Sequence, residues 1–133
     1  MHTDPATDII LQTPEIVNHP HIDSQDTLKN LGNNIELYRE ILDLFNSSIQ
    51  LAQQDLVTAI GIGALPDVLQ HAHKIKGMSF NVGAKRYAEL ARQIEYAASK
   101  GNLAACEQWL RSLSTELPQL QDVIAAINWH ELH

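Results

Sequence analysis

The chain is short of several things, and each shortage narrows what it can be. With one cysteine, Cys106, it can form no internal disulfide, which fits a reducing compartment. No apolar run approaches the ~18–20 residues that a membrane-spanning helix needs. The start, Met1-His2-Thr3-Asp4-Pro5, lacks the basic and apolar regions of a signal peptide. A cytoplasmic address without direct membrane contact is therefore expected. Alternation of the β type, long-period repeats and low-complexity tracts are missing, and aromatic residues make up only 5%. Positive charge is scarce as well: nine Lys and Arg stand against 16 Asp and Glu, a net charge of −7. Phosphate backbones need a positive footprint, so a general nucleic-acid binder is excluded.

What is present fits one helical domain. A chain of 133 residues with 44% hydrophobic content can bury a single core without staples. Residues 1–22 carry Pro5, Pro14 and Pro20 and the short clusters Ile9-Ile10-Leu11 and Ile16-Val17. They read as a linker or N-terminal arm in which proline disfavours helix and whose clusters can lie against the body. The domain proper is expected over 23–133. It opens on a short helix capped by Ser24 and closed by Gly32. From Asn33 or Asn34, the positions Tyr38, Leu42, Phe45, Ile49, Ala52, Leu56 and Ala59 alternate spacings of four and three up to Gly61-Ile62-Gly63. That stripe predicts a helix of ~25 residues, ~38 Å long.

Pro66 suits the first turn of the next helix, with Leu65, Leu69, Ala72 and Ile75 as its buried side and Gly83 as its turn. A further helix from Ala84 buries Tyr87, Leu90, Ala91 and Ile94 and ends at Gly101. Asn102 caps a last segment with the stripe Leu103, Cys106, Leu110, Leu113, Leu117, Leu120, Ile124 and Ile127, in which Pro118 predicts a kink or break near Ser114-Thr115. The sum is an all-α antiparallel up-down four-helix bundle with a short additional N-terminal helix.

Five of the nine basic residues, Lys74, Lys76, Lys85, Arg86 and Arg92, fall within nineteen residues around His73. A local basic patch on an acidic body suits one acidic surface or one phosphate. On a helix, His73, Lys76 and Gly77 share a face, which joins a nucleophile, a cation and a gap. A glycine inside a helix costs roughly 1 kcal/mol against alanine. It calls for a reason, either close packing of two helices or clearance for a partner. His71 is a poor second nucleophile, with no glycine four residues on. His71 and His73, two apart, splay on a helix, and no Glu-x-x-His pair is present, so no metal site is expected. His19 with His21, and His130 with His133, could chelate only adventitiously. Cys106 sits in an apolar stripe and reads as core.

The sequence from about 22 to 127 resembles the histidine-containing phosphotransfer (HPt) domains of bacterial multistep phosphorelays. Its core is the HxxKG pattern, matched by His73, Lys76 and Gly77, followed by the pair Gly83-Ala84. Ahead of it stands Glu40-Ile41-Leu42-Asp43-Leu44-Phe45, and after it Leu90-Ala91-Arg92-Gln93-Ile94-Glu95. The resemblance implies that His73 accepts a phosphoryl group from a receiver-domain aspartyl phosphate and passes it to the aspartate of a response regulator. Lys76 would be the cation beside it, and Glu95 would hold the far ring nitrogen unless it pairs with Arg92. Lys74, Met78, Phe80, Lys85 and Arg86 would serve partner docking, with Lys74, Lys85 and Arg86 reading equally as ordinary surface charges and Met78 and Phe80 bulkier than the small residues usual in the family. The module would carry no cofactor, the Mg²⁺ coming with the partner receiver domain. It would be monomeric as an isolated domain and lacks the ATP-binding motifs of a kinase. An excised module of a hybrid sensor kinase, and so the cytoplasmic part of a membrane-anchored chain, is expected. The alternative is a helical adaptor that binds a receiver or kinase domain without being phosphorylated.

Overall fold

Leu42, Phe45, Ile49, Ala52, Leu56 and Ala59 all turn inward from one long helix, and the rest of the molecule packs on that stripe. The computed structural model describes residue 16 and residues 18–132. The cluster Ile9-Ile10-Leu11, Pro5, Pro14, Val17 and His133 lie outside the described residues. From Ser24 on, five helices follow one another among the described residues: α1 (Ser24–Asn30), α2 (Ile35–Gly61), α3 (Leu65–Val82), α4 (Lys85–Ser99) and α5 (Leu103–Ala125). No strand occurs among the described residues, and no helix is long and apolar enough to cross a membrane. Each of the four long helices packs on its neighbour in sequence, and α2 also meets α5.

Local chemistry sets the ends. The Asn34 and Asn102 side chains accept the amides of Leu37 and Ala105, each at 3.0 Å, which satisfies donors that a helix start leaves open. In α1 the cap is Asp23 and not the expected Ser24; its carboxylate takes the Asp26 amide at 3.1 Å, so Ser24 becomes the first helical residue. Gly83 ends α3 at φ +81°, in the left-handed region where a side chain would be strained.

Three further expectations need correction. The buried side of α3 is Val68, Ala72, Ile75, Ser79 and Val82, while Leu69 is 36% exposed. The period held; reading the larger apolar Leu69 as the inward residue instead of Val68, 100° away, rotated the first turn. Helix α5 runs unbroken through Pro118. Pro118 and Ser114 are both exposed, so the carbonyl that proline leaves without its donor lies where water can serve it, while buried Leu113, Leu117 and Leu120 hold the helix down. Trp109 and Glu116 are also buried on α5, and Leu110 only in part. Finally, the prolines of the arm disfavour helix, yet Ile16 and Asn18 are helical and Ile16 is in the core. Proline bars helix interiors, not a short turn between two prolines.

The arm and the tail converge on one end of the molecule. The Tyr38 hydroxyl donates to the Val82 carbonyl at 2.9 Å, Trp129 and Tyr38 meet edge to face at 5.7 Å, and the Arg39 guanidinium lies over the Trp129 ring at 5.1 Å. Leu132 is buried beyond it.

Candidate functional site

His73 is the ninth of the eighteen residues of α3, on its outer side. Ala72 and Ile75 point into the core, which leaves His73 facing away, and its side chain is 69% exposed. From the next helix, Glu95 reaches across: its Oε2 lies 2.5 Å from His73 Nδ1 and its Oε1 accepts from Lys76 Nζ at 2.6 Å. One carboxylate thus holds both the imidazole and the ammonium. Burial pushes the Glu95 carboxyl up, but hydrogen bonds from Lys76 and His73, with their charges, outweigh it and hold the group below its ordinary value. An ionised carboxylate only accepts, so the proton is on Nδ1. In the neutral ring the lone pair is then on Nε2, and among the described residues nothing bonds to that nitrogen. Arg92, the other partner considered for Glu95, pairs instead with Glu89 at 2.7 Å.

Gly77 has no neighbour: a Cβ built there meets nothing within 4 Å. Close packing of helices does not account for this glycine. Above it is open space one turn along from His73, flanked on the same face by Leu69 and by Phe80, 46% exposed. On the side away from Glu95, Met78 turns toward α2. With Asn81 and Val82 it lines a shallow groove of ≈ 150 Å³ against Ile41, Leu44, Phe45 and Ser48. Leu44 and Leu51 are about two-thirds exposed, and Leu37 is exposed to a lesser degree. Neither the groove nor these leucines was anticipated. The signal was there, since Leu37, Leu44 and Leu51 recur every seven residues one position off the buried register.

The basic patch is less positive than the sequence suggests. Lys74 is exposed and makes no ion pair with the described residues, but Lys76 is held by Glu95 and Arg92 by Glu89. Lys85 and Arg86, expected as docking charges, lie at the α3–α4 turn, Lys85 facing the start of α1 and Arg86 facing the arm. Lys85 Nζ is 2.9 Å from Asp23 and 3.7 Å from Asp26, and Arg86 is engaged by His19, His21 and Glu116. Cys106 is fully buried, and burial pushes its thiol up. No cluster of three or more His, Cys, Asp or Glu able to hold a metal occurs among the described residues.

The family model described as the Hpt domain matches residues 40–127, a span that contains His73, Lys76, Gly77 and Glu95. No curated protein and no solved structure matches the chain at a significant level.

Proposed function

Because the chain belongs to the Hpt domain family, whose members are phosphotransfer modules that meet receiver domains in two-component signalling, we propose that His73 is its phosphoryl carrier. It accepts the group from a receiver's aspartyl phosphate and hands it to the aspartate of a response regulator. The observation that carries this reading is the Nδ1–Glu95 contact on a side chain otherwise open to solvent, which leaves Nε2 as the exposed nucleophile. In the step, the Nε2 lone pair forms the N–P bond as the P–O bond to the donor aspartate breaks, and that aspartate leaves as a carboxylate. The proton stays on Nδ1, and the positive charge that develops on the ring faces Glu95. Lys76, with protons to spare beyond the one Glu95 takes, neutralises the phosphoryl oxygens. Mg²⁺ is expected to come with the receiver. Gly77 clears the approach, and Leu69, Phe80 and the Met78–Leu44 groove, with Lys74, offer the docking surface. Lys85 and Arg86 are left out of it.

The same reading takes α2–α5 as an antiparallel up-down bundle, residues 23–133 as the module, and its setting as the cytoplasm, within or beside a hybrid sensor kinase. Incubation with a phosphorylated receiver domain tests it. Acid-labile, alkali-stable phosphate on the protein, absent in His73→Gln, is the expected result. Undiminished transfer in that variant would overturn the assignment. Unchanged receiver affinity and signalling output with no phosphate on the protein would favour the adaptor.

A further inference from the structure

A second histidine–carboxylate pair sits away from the site. His21, in the arm, has its Nδ1 2.5 Å from Glu116 Oε2, and Glu116 is a buried residue of α5 whose side chain is 5% exposed. It resembles the His73–Glu95 pair, with one difference: the His21 Nε2 is taken, by Arg86 Nη1 at 3.3 Å. With both nitrogens engaged, this ring holds parts together. Arg86 is the second residue of α4, and the arm grips it at several points. Its amide donates to Pro20 O at 3.2 Å, its Nε donates to His19 O at 2.9 Å, and its Nη1 is also 3.9 Å from Glu116 Oε1.

The grip continues onto the turn that joins α3 to α4. Asp23 N donates to Gly83 O at 2.8 Å, Lys85 is paired with Asp23, and a Cβ on Gly83 would meet Thr27 Oγ1 at 2.1 Å. Gly83 is ten residues after His73, and Glu95 is ten residues after Lys85. The turn, enclosed by the arm together with the start of α1, is therefore about 15 Å along each helix from the site. Besides the packing of α3 on α4, it restrains how the two helices lie lengthwise, and the His73–Glu95 contact crosses between them. The contact spans the two helices, so a lengthwise slide of one against the other lengthens and misaligns it.

We propose that His21, Arg86 and Glu116 form a clamp through which the N-terminal arm positions Glu95 against His73, so that the arm belongs to the working part of the phosphotransfer module. The three are positioning residues, since none touches the phosphoryl group. This inference rests on the reading of His73 as the carrier, and its test separates the two. In the full chain, His21→Ala is compared with Glu116→Gln and with His21→Gln, which keeps a donor and an acceptor at that place. The first readout is the ¹⁵N spectrum of the His73 ring, which needs no phosphate. In the unaltered protein it reports a single tautomer with the proton on Nδ1; in His21→Ala it is expected to shift toward a mixture, with His21→Gln restoring it in part. The second is the rate of transfer from a phosphorylated receiver domain, expected to fall about tenfold in His21→Ala. Glu116→Gln is isosteric and must move the His73 signals in the same direction, which covers the case of an alanine variant that does not fold. Unchanged His73 spectra in a folded His21→Ala or in Glu116→Gln would overturn the clamp. Absence of phosphate on the unaltered protein would overturn the carrier reading and leave the spectral test of the clamp standing.

Discussion

Glu95 is the residue whose role was least visible and whose geometry is most informative. Nothing near it in the chain marks it, and Arg92 offered an equally plausible local partner. Only the packing of α4 on α3 brings it to His73 and Lys76, twenty-two and nineteen residues back. On the proposed reading, Glu95→Gln removes the charge opposite the imidazole and weakens the hold on Lys76. A hydrogen bond to a charged group is worth about 1.5–3 kcal/mol, so the transfer rate should fall about 10–100-fold in a phosphorylated-receiver assay. Gly77 makes the opposite demand, because its site has room. Gly77→Ala should raise stability by about 0.5–1 kcal/mol in urea titration. Gly77→Leu should fold as well and yet lose receiver binding, seen as at least a tenfold weaker Kd by calorimetry. If both variants fold and bind as the unaltered chain does, the glycine is not clearing a docking surface.

At the scale of the helices, most of the architecture could be read from spacing. Alternating threes and fours located α2, and Asn34, Gly83 and Asn102 marked ends that the structure also has. The failures share a cause. Val68 replaced Leu69 on the inner face of α3, and Trp109 with Glu116 joined the inner face of α5, because the identity of the covering neighbour decides which flank of a stripe is buried. Periodicity gives the angle of a residue on its own helix and says nothing of that neighbour. Pro118 failed differently, since a lost backbone bond is tolerable where water reaches the carbonyl. Pro118→Ala should therefore stabilise α5, by about 1–3 kcal/mol in chemical denaturation. Gly83→Ala should do the reverse. It combines a left-handed φ with a Cβ placed 2.7 Å from the Asp23 carbonyl, and a loss of more than about 2 kcal/mol is expected from thermal melts.

For the molecule as a whole, the family-matched segment 40–127 is not the whole folding unit. Ile16, Leu28, Tyr38 and Leu132 are all buried, and all lie outside it. A fragment of residues 40–127 should melt far below the full chain, or not cooperatively, by circular dichroism. Acid should loosen the same whole. Asp23 and Glu95 both have folded-state values below their ordinary 3.8 and 4.5: in Asp23 chiefly through the hydrogen bond from Lys85, in Glu95 because bonds from Lys76 and His73 outweigh the opposing effect of burial. A lowered carboxylate contributes its full stability above the unfolded value and loses it as pH falls through the folded one. Melting temperature should thus be level above about pH 5 and decline below it, less steeply in Asp23→Asn. The carboxylate shared by His73 and Lys76 has a further consequence, in the currency of equilibrium. A phosphoryl group on Nε2 would have to divide the Lys76 charge with Glu95, so the protein can stabilise its loaded form only in part.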